Sequence, residues 1–218
     1  MDLFLDSADV SELRSLCETG LISGVTTNPT LIAGAGGDMR KILREICAMV
    51  EGPVSAEVIA LDYQGMMKEA QELLKIAENI AVKVPLTVDG LRACKTLSDD
   101  EKMVNVTLCF SVTQALLASK AGATFVSPFV GRLDDVGYDG IELIREIEDV
   151  YARDAENITV ILAASIRNPR HVIEAAKAGA SCATIPPKIF RQLYQHPLTD
   201  KGIELFLKDW SSTGQTIV

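Results

Sequence analysis

Eight short apolar runs, separated by longer segments with helical periodicity, constrain the fold of this chain more than any other feature of its sequence. Short apolar runs between turn residues are typical of strands buried on both faces, and strands that alternate with helices favour parallel βαβ units. Eight such units can close into a (β/α)8 barrel, the TIM barrel of the α/β class. We therefore predict this barrel, with its strands in the runs at residues 3–6, 24–28, 54–60, 80–86, 104–110, 124–130, 159–165 and 182–186.

The segments between the runs carry residues that start and stop helices. Asn28 and Asn168 each precede a proline, which combines an N-cap residue with the residue favoured at the first helical position. Glycine is favoured where helices end, and it follows helical segments at Gly20, Gly122 and Gly179. The amphipathic segments lie, among other places, at residues 9–19, 38–50, 64–77, 111–121, 139–154 and 170–178.

The domain organisation predicted from this series is simple. No linker or low-complexity segment interrupts it, and 218 residues are enough for one substantial core but few for two. We therefore predict a single domain over residues 1–218. The last run ends near residue 186, and the sequence after it contains one helix more than a barrel needs, at about 199–212.

Composition and charge argue against several classes of function. The formal net charge of −9 argues against nucleic acid as a partner, and no apolar run is long enough to predict a membrane span. The amino-terminal "MDLFLDSAD" lacks the basic region of a secretory signal. Five cysteines without CxxC spacing favour reduced thiols in a cytoplasmic protein. The two histidines lie away from the carboxyl ends of the runs, so we predict neither a Ser-His-Asp triad nor a metal site.

A lysine interrupts one of the apolar runs. Lys83 stands in the middle of "IAVKVPL", and an isolated buried ammonium costs roughly several kcal/mol unless it is paired or loses its proton. Two interpretations are open from this run alone. The lysine head can reach solvent or a carboxylate at the strand end, or the amine can belong to a functional site inside the barrel.

Polar residues recur on one parity of the runs, close to the carboxyl ends. Because alternate side chains of a strand share a face, one parity is expected to pack on the outer helices while the other points into the barrel. In the seventh run this rule places Ser165 inward and Val160, Leu162 and Ala164 outward. Active sites of such barrels lie at the carboxyl ends of the strands, so the inward residues predict a site there. In the first five runs they are Asp6, Thr26, Asn28, Ser55, Glu57, Lys83, Asn105 and Thr107.

Seven segments of the sequence resemble motifs of the small transaldolase family, which also contains the fructose-6-phosphate aldolases. The resemblance extends from residue 2 to about residue 210, and the segments occur in the order found in the family. The segments are "LDSADV", "GVTTNPTLI", "VSAEV", "VKVPLTVDGL", "NVTLCFS", "FVSPFVGRLDD" and "LAASIRNPRHV".

The resemblance implies a transaldolase of the pentose phosphate pathway that needs neither a metal nor an organic cofactor. Such an enzyme moves a dihydroxyacetone unit from a ketose phosphate, such as sedoheptulose 7-phosphate or fructose 6-phosphate, to an aldose phosphate, such as glyceraldehyde 3-phosphate or erythrose 4-phosphate. Two alternatives remain open. One is an aldolase that releases free dihydroxyacetone, and the other is a barrel that binds sugar phosphates without catalysis.

The resemblance also implies catalytic roles. Lys83 corresponds to the lysine that forms a Schiff base, and Asp6 to the aspartate that takes and returns the proton of the C4 hydroxyl. Glu57 corresponds to an acid/base that acts through a water also held by Thr107. Burial favours a neutral amine at Lys83, whereas nearby carboxylates favour the ammonium, and the sequence leaves this balance open. Asp6 has an alternative role as a cap of the first helix, which Ser7 and Asp9 can also fill.

Substrate contacts follow from the same resemblance. Arg132, Arg167 and Ser165 correspond to the phosphate site, to which arginine brings a planar fork of donors. Arg132 has an alternative as a surface residue paired with Asp134 or Asp135. The residues that correspond to contacts with sugar hydroxyls or the bound water are Asn28, Asn105 and Ser127, with Thr26 as a weaker candidate.

Two positions discriminate between the activities of the resembled family. Its transaldolases tend to carry phenylalanine and glutamate at the positions of Phe129 and Glu57, whereas its fructose-6-phosphate aldolases carry tyrosine and glutamine. A phenolic hydroxyl can help to protonate the enamine and release dihydroxyacetone, and a phenyl ring has no such proton. The pair in this chain therefore favours transaldolase.

The extra carboxyl-terminal helix bears on assembly. It carries Leu205, Phe206 and Trp210, which can pack either on the chain's own barrel or on a neighbouring subunit. Members of the resembled family form rings, commonly pentamers or decamers, in which this helix reaches a neighbour. We therefore predict a homo-oligomer.

Overall fold

The computed structural model describes residues 1–218 and contains a closed barrel of eight parallel strands. Each strand pairs with the next along the chain, and β8 returns to pair with β1. This arrangement confirms the predicted (β/α)8 barrel, and each strand lies within or next to its predicted run. The strands are β1 Asp2–Asp6, β2 Gly24–Thr26, β3 Val54–Glu57, β4 Ile80–Pro85, β5 Val104–Cys109, β6 Phe125–Pro128, β7 Val160–Ala163 and β8 Cys182–Ile185.

Eleven helices accompany the strands. All six predicted amphipathic segments form helices, and the additional carboxyl-terminal helix is present as α11, which begins two residues earlier than predicted. The helices are α1 Val10–Cys17, α2 Pro29–Ala35, α3 Met39–Cys47, α4 Tyr63–Leu74, α5 Val88–Asp99, α6 Val112–Lys120, α7 Val130–Asp134, α8 Gly140–Tyr151, α9 Pro169–Lys177, α10 Pro187–Tyr194 and α11 Pro197–Ser212.

The predicted helix boundaries have the expected local chemistry. The side-chain oxygen of Asn28 accepts a hydrogen bond from the Leu31 amide at 2.9 Å, and that of Asn168 accepts one from the His171 amide at the same distance. Each asparagine therefore satisfies one of the free amides at a helix start. The glycines predicted to stop helices adopt the left-handed conformation, with φ of 71°, 80° and 104° at Gly20, Gly122 and Gly179.

The aliphatic parity of the strands packs outward against the helices. This layer belongs to one continuous apolar core, and its strand residues are completely buried. Full burial of such a side chain stabilises the fold by roughly 1.5–3 kcal/mol relative to exposure, so this layer fixes the register in which each strand presents its other parity to the interior. Its members include Leu5, Val25, Val82, Val106 and Val126.

A separate apolar cluster closes the amino-terminal end of the barrel. Phe4, Phe125, Leu162 and Cys182 pack together inside it, and the rings of Phe4 and Phe125 meet edge to face with their centroids 5.9 Å apart. Side chains thus fill the lower half of the barrel, as is usual for eight strands. The barrel interior opens only at its carboxyl end.

The seventh strand corrects the parity prediction. Leu162 belongs to the interior cluster, and Val160 packs against it, so this parity faces inward rather than outward. The prediction for β7 was wrong because Ser165 lies beyond the strand, which ends at Ala163. Ser165 has a φ of 58°, a left-handed conformation that breaks the alternation of side chains.

Two further observations concern the chain as a whole. None of the helices combines the length and the apolar character needed to cross a membrane. All five cysteines are free thiols.

Candidate active site

The carboxyl ends of the strands surround an open cavity with two adjoining parts of about 400 and 120 Å3. The larger part lies toward α2, and the smaller part lies among β1, β6, β7 and β8. The size of the larger part falls within the range of small-molecule sites. Most of the predicted site residues line one or both parts, namely Asp6, Thr26, Asn28, Glu57, Lys83, Thr107, Ser127, Phe129, Arg132 and Ser165.

Strand register explains why residues from distant parts of the sequence meet here. Glu57 of β3 pairs with Lys83 of β4, and Lys83 pairs with Asn105 of β5. In the same way, Asp6 of β1 pairs with Thr26 of β2. Paired residues of neighbouring strands point to the same side of the sheet, so these side chains form one inward layer.

The Lys83 amine lies inside the barrel. The residue is only 6% exposed, and its Nζ forms an ion pair with Glu57 Oε2 at 3.0 Å and donates a hydrogen bond to the Thr27 carbonyl at 3.1 Å. The head of Lys83 therefore does not reach solvent, and it pairs with a carboxylate instead, as both interpretations of this lysine allow. Glu57 is the carboxylate within reach.

Asp6 lines the smaller part of the cavity together with Lys83. Its Oδ1 accepts a hydrogen bond from Thr26 Oγ1 at 2.8 Å. Burial raises the pKa of Asp6 above its ordinary value of 3.8, with a smaller contribution from the charge of Glu57, while the charge of Lys83 and the Thr26 hydrogen bond act in the opposite direction. A carboxyl with a raised pKa in an open cavity is suited to proton transfer.

The alternative role of Asp6 as a helix cap is already filled. Asp9 is the N-cap of α1, and its Oδ1 accepts hydrogen bonds from the amides of Ser11 and Glu12, each at 3.0 Å. Asp6 is therefore not needed at that helix end.

Thr107 carries an unsatisfied polar group. Its Oγ1 is buried and has no hydrogen-bond partner, although the residue lines both parts of the cavity beside Lys83. Buried hydroxyls without a partner are rare, and each one invites a ligand or a water. The geometry thus leaves a hydrogen-bonding position open next to the amine.

Asn105 supports the cavity from beneath. It is fully buried, donates to Ser55 Oγ at 3.0 Å and accepts from Ser127 Oγ at 2.7 Å. This chain of hydrogen bonds joins β3, β5 and β6 around Lys83. Asn105 does not line the cavity, so its contact with a substrate remains a prediction.

The two predicted arginines have different surroundings. Arg132 lines both parts of the cavity, and its guanidinium lies 4.9 Å from the centroid of the Phe129 ring. Arg167 instead forms a half-exposed bidentate pair with Asp135, at 2.7 and 3.4 Å, outside the residues that line the cavity. Ser165 lines the smaller part of the cavity, and its backbone there is left-handed.

The alternative of a paired Arg132 does not occur. Asp135 is engaged by Arg167, and Asp134 lies 3.3 Å from His171 Nε2 and accepts a hydrogen bond from the Gly140 amide. Arg132 forms no ion pair, so its charge is free for an anion. Gly131 permits this packing, because a Cβ there would lie 2.4 Å from the Ser165 carbonyl oxygen.

A separate cavity of about 350 Å3 lies between α3 and α4. It shares Glu57 with the barrel mouth, but otherwise it is lined by apolar residues and by surface charges such as Arg40 and Glu72, which pair with each other at 2.8 Å. The amine, the second carboxyl and the free arginine all converge on the barrel mouth instead, so we place the candidate site there.

Comparison with known protein families agrees with this geometry. Residues 3–217 match the family described as transaldolase/fructose-6-phosphate aldolase. The chain belongs to this family.

Individual members of the transaldolase family are closely similar to the chain. A probable transaldolase of Chelativorans is 60% identical over 217 residues, and one of Novosphingobium aromaticivorans is 60% identical over 218 residues. A third, from Caulobacter vibrioides, is 59% identical over 218 residues. Each alignment covers 100% of both chains. The predicted family and the prediction of a transaldolase are thereby confirmed.

A solved structure outside the transaldolase family shares the fold. A mandelate oxidase variant, solved with an FMN adduct, superposes with a TM-score of 0.58 at 16% identity. The match covers 83% of this chain and 59% of that chain. At this level of identity the similarity concerns the barrel alone.

Sequence reasoning missed two polar residues of the transaldolase cavity, Thr30 of α2 in the larger part and Thr184 in the smaller part. Thr184 of β8 lines the smaller part, and its Oγ1 lies 2.6 Å from Thr26 Oγ1. This contact connects Thr184 through Thr26 to Asp6. The parity rule, applied to the last run, would have found it, because Thr184 is the polar residue next to the end of that strand.

Proposed function

We propose that this transaldolase transfers a dihydroxyacetone unit between sugar phosphates through a Schiff base on Lys83. The observation that carries the proposal is the buried Lys83 amine, which faces the open cavity and lies 3.0 Å from Glu57. A primary amine is the side chain that forms an imine with a ketose, and the resulting iminium stabilises the electron pair released when a carbon–carbon bond breaks.

Imine formation uses Lys83 and Glu57. Lys83 gives a proton to the Glu57 carboxylate, and the neutral amine adds to the C2 carbonyl of the ketose to form a carbinolamine. Protonated Glu57 then returns a proton to the carbinolamine hydroxyl, which leaves as water and produces the iminium. The free hydroxyl of Thr107 supports a water in this relay, because it lines the same cavity and lacks a partner.

Cleavage of the C3–C4 bond uses Asp6. Ionised Asp6 takes the proton of the C4 hydroxyl as C4 becomes the aldehyde carbon of the first product, and the electron pair of the broken bond moves to C3 to form an enamine. The aldose phosphate leaves, and C3 of the enamine attacks the carbonyl of the acceptor. Asp6 returns its proton to the new hydroxyl, and hydrolysis of the imine releases the product.

The phosphate group is assigned to the arginine side of the mouth. Arg132 is unpaired there and Ser165 lines the cavity beside it, while Arg167 lies next to Gly131 and requires exchange of its partner Asp135. Guanidinium groups bind phosphates well, and a local cation can hold an anionic substrate on a chain of net charge −9. Asn28, Thr26 and Ser127 line the part of the mouth where sugar hydroxyls would lie.

The choice of transfer over release is assigned to Phe129. Its ring lines both parts of the cavity and offers no proton to the enamine. We expect turnover of fructose 6-phosphate to depend on an acceptor such as erythrose 4-phosphate, and a coupled assay with and without the acceptor measures this. Phe129→Tyr should raise the release of free dihydroxyacetone relative to transfer by roughly tenfold or more, because a positioned acid contributes about 10²–10⁴-fold to proton transfer.

A matched control for this prediction is Tyr138→Phe, since Tyr138 is exposed and lies outside the cavity. It should leave the ratio of release to transfer unchanged. Wild-type turnover that ignores the acceptor would instead identify an aldolase. The second alternative, a non-catalytic barrel, has less support. It gives no reason to bury the Lys83 amine at the barrel mouth with the carboxyl groups of Glu57 and Asp6.

Assembly into a homo-oligomer is proposed from α11. No residue of α11 is buried within the chain, so the helix does not bury its apolar side chains against its own barrel. Leu205, Phe206 and Trp210 are 50%, 75% and 42% exposed. An exposed apolar surface of this kind is typical of a subunit interface, and a pentamer or decamer is the ring size implied by the family.

We expect Phe206→Glu to shift the oligomer toward monomers while the barrel stays folded, because a charge in an apolar interface loses its hydration without a partner. Light scattering after size exclusion and far-UV circular dichroism measure the two properties. Lys208→Glu, on the same helix, is the matched control for added negative charge. A wild type that is monomeric at micromolar concentration would contradict the proposed oligomer.

We also place the reaction in the pentose phosphate pathway and the protein in the cytoplasm. The transfer of a dihydroxyacetone unit from ketose phosphate donors to aldose phosphate acceptors supports the first assignment. The five free thiols support a reducing compartment.

A further inference from the structure

An aromatic residue that none of the predicted roles includes lies at the rim of the barrel mouth. Phe110 follows β5 and is 37% exposed, so burial in the core does not account for its position. Its ring meets the ring of Phe129 edge to face, with 5.6 Å between the centroids and 61° between the planes. The guanidinium of Arg132 in turn lies over the face of the Phe129 ring, 4.9 Å from the ring centroid.

The backbone holds Phe110 in this place. Leu108 has a φ of 61°, and the register between β5 and β6 shifts between Val106 and Cys109. After this irregularity the Phe129 amide donates to the Cys109 carbonyl at 3.1 Å, which brings the ends of the two strands together. The Phe110 amide donates to Gln114 Oε1 at 2.8 Å, so the first turn of α6 also anchors the residue.

Arg132 depends on this aromatic support because no carboxylate holds it. The neighbouring acids are engaged elsewhere, Asp135 by Arg167 and Asp134 by His171. A guanidinium over an aromatic face is attracted by the ring without being neutralised, so it keeps its charge for an anion. The Phe129 ring can orient Arg132 only if the ring itself is held in place. Phe110 holds the Phe129 ring through their edge-to-face contact.

We propose that Phe110 is a positioning residue for the substrate phosphate, which acts through Phe129 to hold Arg132 toward the cavity. The inference rests on the proposed function, since it assumes that Arg132 binds the phosphate. It implies that Phe110 determines specificity for phosphorylated over unphosphorylated ketoses, although it is not among the residues that line the cavity.

The test compares fructose 6-phosphate with fructose as donors, with the same unphosphorylated glyceraldehyde as acceptor. Phe110→Ala should raise the KM for fructose 6-phosphate by roughly three- to tenfold, the range expected for loss of an aromatic pair, and leave kcat within about twofold. Its kcat/KM for fructose should stay within about twofold of wild type. Phe110→Tyr keeps the ring edge and should retain the wild-type KM.

A second pair of variants tests the anchor without altering the ring. Gln114→Ala removes the acceptor for the Phe110 amide and should raise the same KM in the same direction, whereas Gln114→Glu keeps an acceptor and should not. Leu117→Ala, at an exposed position on α6, is the matched control for a change in that helix.

The outcomes separate this inference from the proposed function. A wild type that prefers fructose 6-phosphate to fructose, together with an unchanged KM in Phe110→Ala, would overturn the role of Phe110 alone. Equal losses with both donors would also overturn it, since they indicate a structural defect. A wild type without preference for the phosphorylated donor would overturn the phosphate site itself, and with it this inference.

Discussion

Lys83→Met is expected to abolish transaldolase activity, with a loss on the order of 10⁴-fold or more in kcat, because methionine keeps an unbranched side chain of similar length but has no amine to form the imine. Borohydride reduction in the presence of fructose 6-phosphate should give the wild type a covalent mass increase at Lys83, located by peptide mass spectrometry. The variant should show no such increase.

The control for this experiment is Lys95→Met, which replaces an exposed lysine of α5 and should retain both activity and adduct. Because Lys83→Met leaves Glu57 without its ion partner, thermal melting and circular dichroism must establish that the variant is folded. An adduct on another lysine of the folded variant, or turnover close to wild type, would refute the assignment of the nucleophile.

Asp6→Asn is expected to reduce transfer by roughly 10²–10⁴-fold, because asparagine cannot take the C4 hydroxyl proton during cleavage. Imine formation does not need Asp6, so the variant should still be trapped by borohydride with a ketose bound to Lys83. An adduct without turnover distinguishes this result from a loss of substrate binding. Failure of both reactions would assign Asp6 to imine formation or to the structure of the mouth instead.

Asp6→Asn, which is expected to lower activity, is expected to raise the stability of the fold at neutral pH. Burial raises the folded-state pKa of Asp6 above the unfolded value of 3.8, so the folded protein binds this proton more tightly than the unfolded chain does. The free energy of unfolding therefore falls as pH rises from the unfolded pKa through the folded pKa, and the full penalty is present above that window. Asp6→Asn removes the penalty, so its Tm should exceed that of wild type at neutral pH.

This gain in Tm should shrink as the pH falls toward 3.8 and vanish well below it, where wild-type Asp6 holds its proton in both states. Asp9→Ala is a control of opposite sign, because hydrogen bonds from the Glu12 amide and the Ser11 side chain lower the pKa of Asp9 and the carboxylate caps α1. It should lower Tm at neutral pH and leave the chemistry intact. A Tm of Asp6→Asn below wild type at neutral pH would contradict the assigned direction.

Acid inactivation of the wild type follows from the same group. Asp6 must be ionised to act as a base, so kcat/KM should fall as pH drops through its raised pKa, above the range of an ordinary aspartate.

The barrel and the inward residues of the first five strands could be predicted because periodicity and parity are local properties of the sequence. Asp6, Glu57 and Lys83 lie two residues from apolar or small neighbours on the same face, and strand register then brings them together. The parity rule was wrong for β7 because Ser165 lies past the strand end in a left-handed conformation. The sequence contains no signal that predicts this conformation at a serine.

Charge partners were harder to predict than strand faces. The sequence offers Asp134 and Asp135 to Arg132 as near neighbours, but the fold gives Asp135 to Arg167 and Asp134 to His171, both from the loop and helix after β7. The position of Phe110 depends on the irregular backbone at Leu108 and was likewise not predictable. Ion pairs and rim contacts are set by tertiary structure, which periodicity does not encode.

The apolar cluster of Phe4, Phe125, Leu162 and Cys182 has a kinetic consequence. It closes the amino-terminal end of the barrel, so substrates and products must enter and leave through the carboxyl end. In the proposed reaction, the first aldehyde has to depart before the second can enter, while the dihydroxyacetone unit stays attached to Lys83. We therefore expect ping-pong kinetics, in which the covalent intermediate sets the order and the four side chains leave both aldehydes the same route.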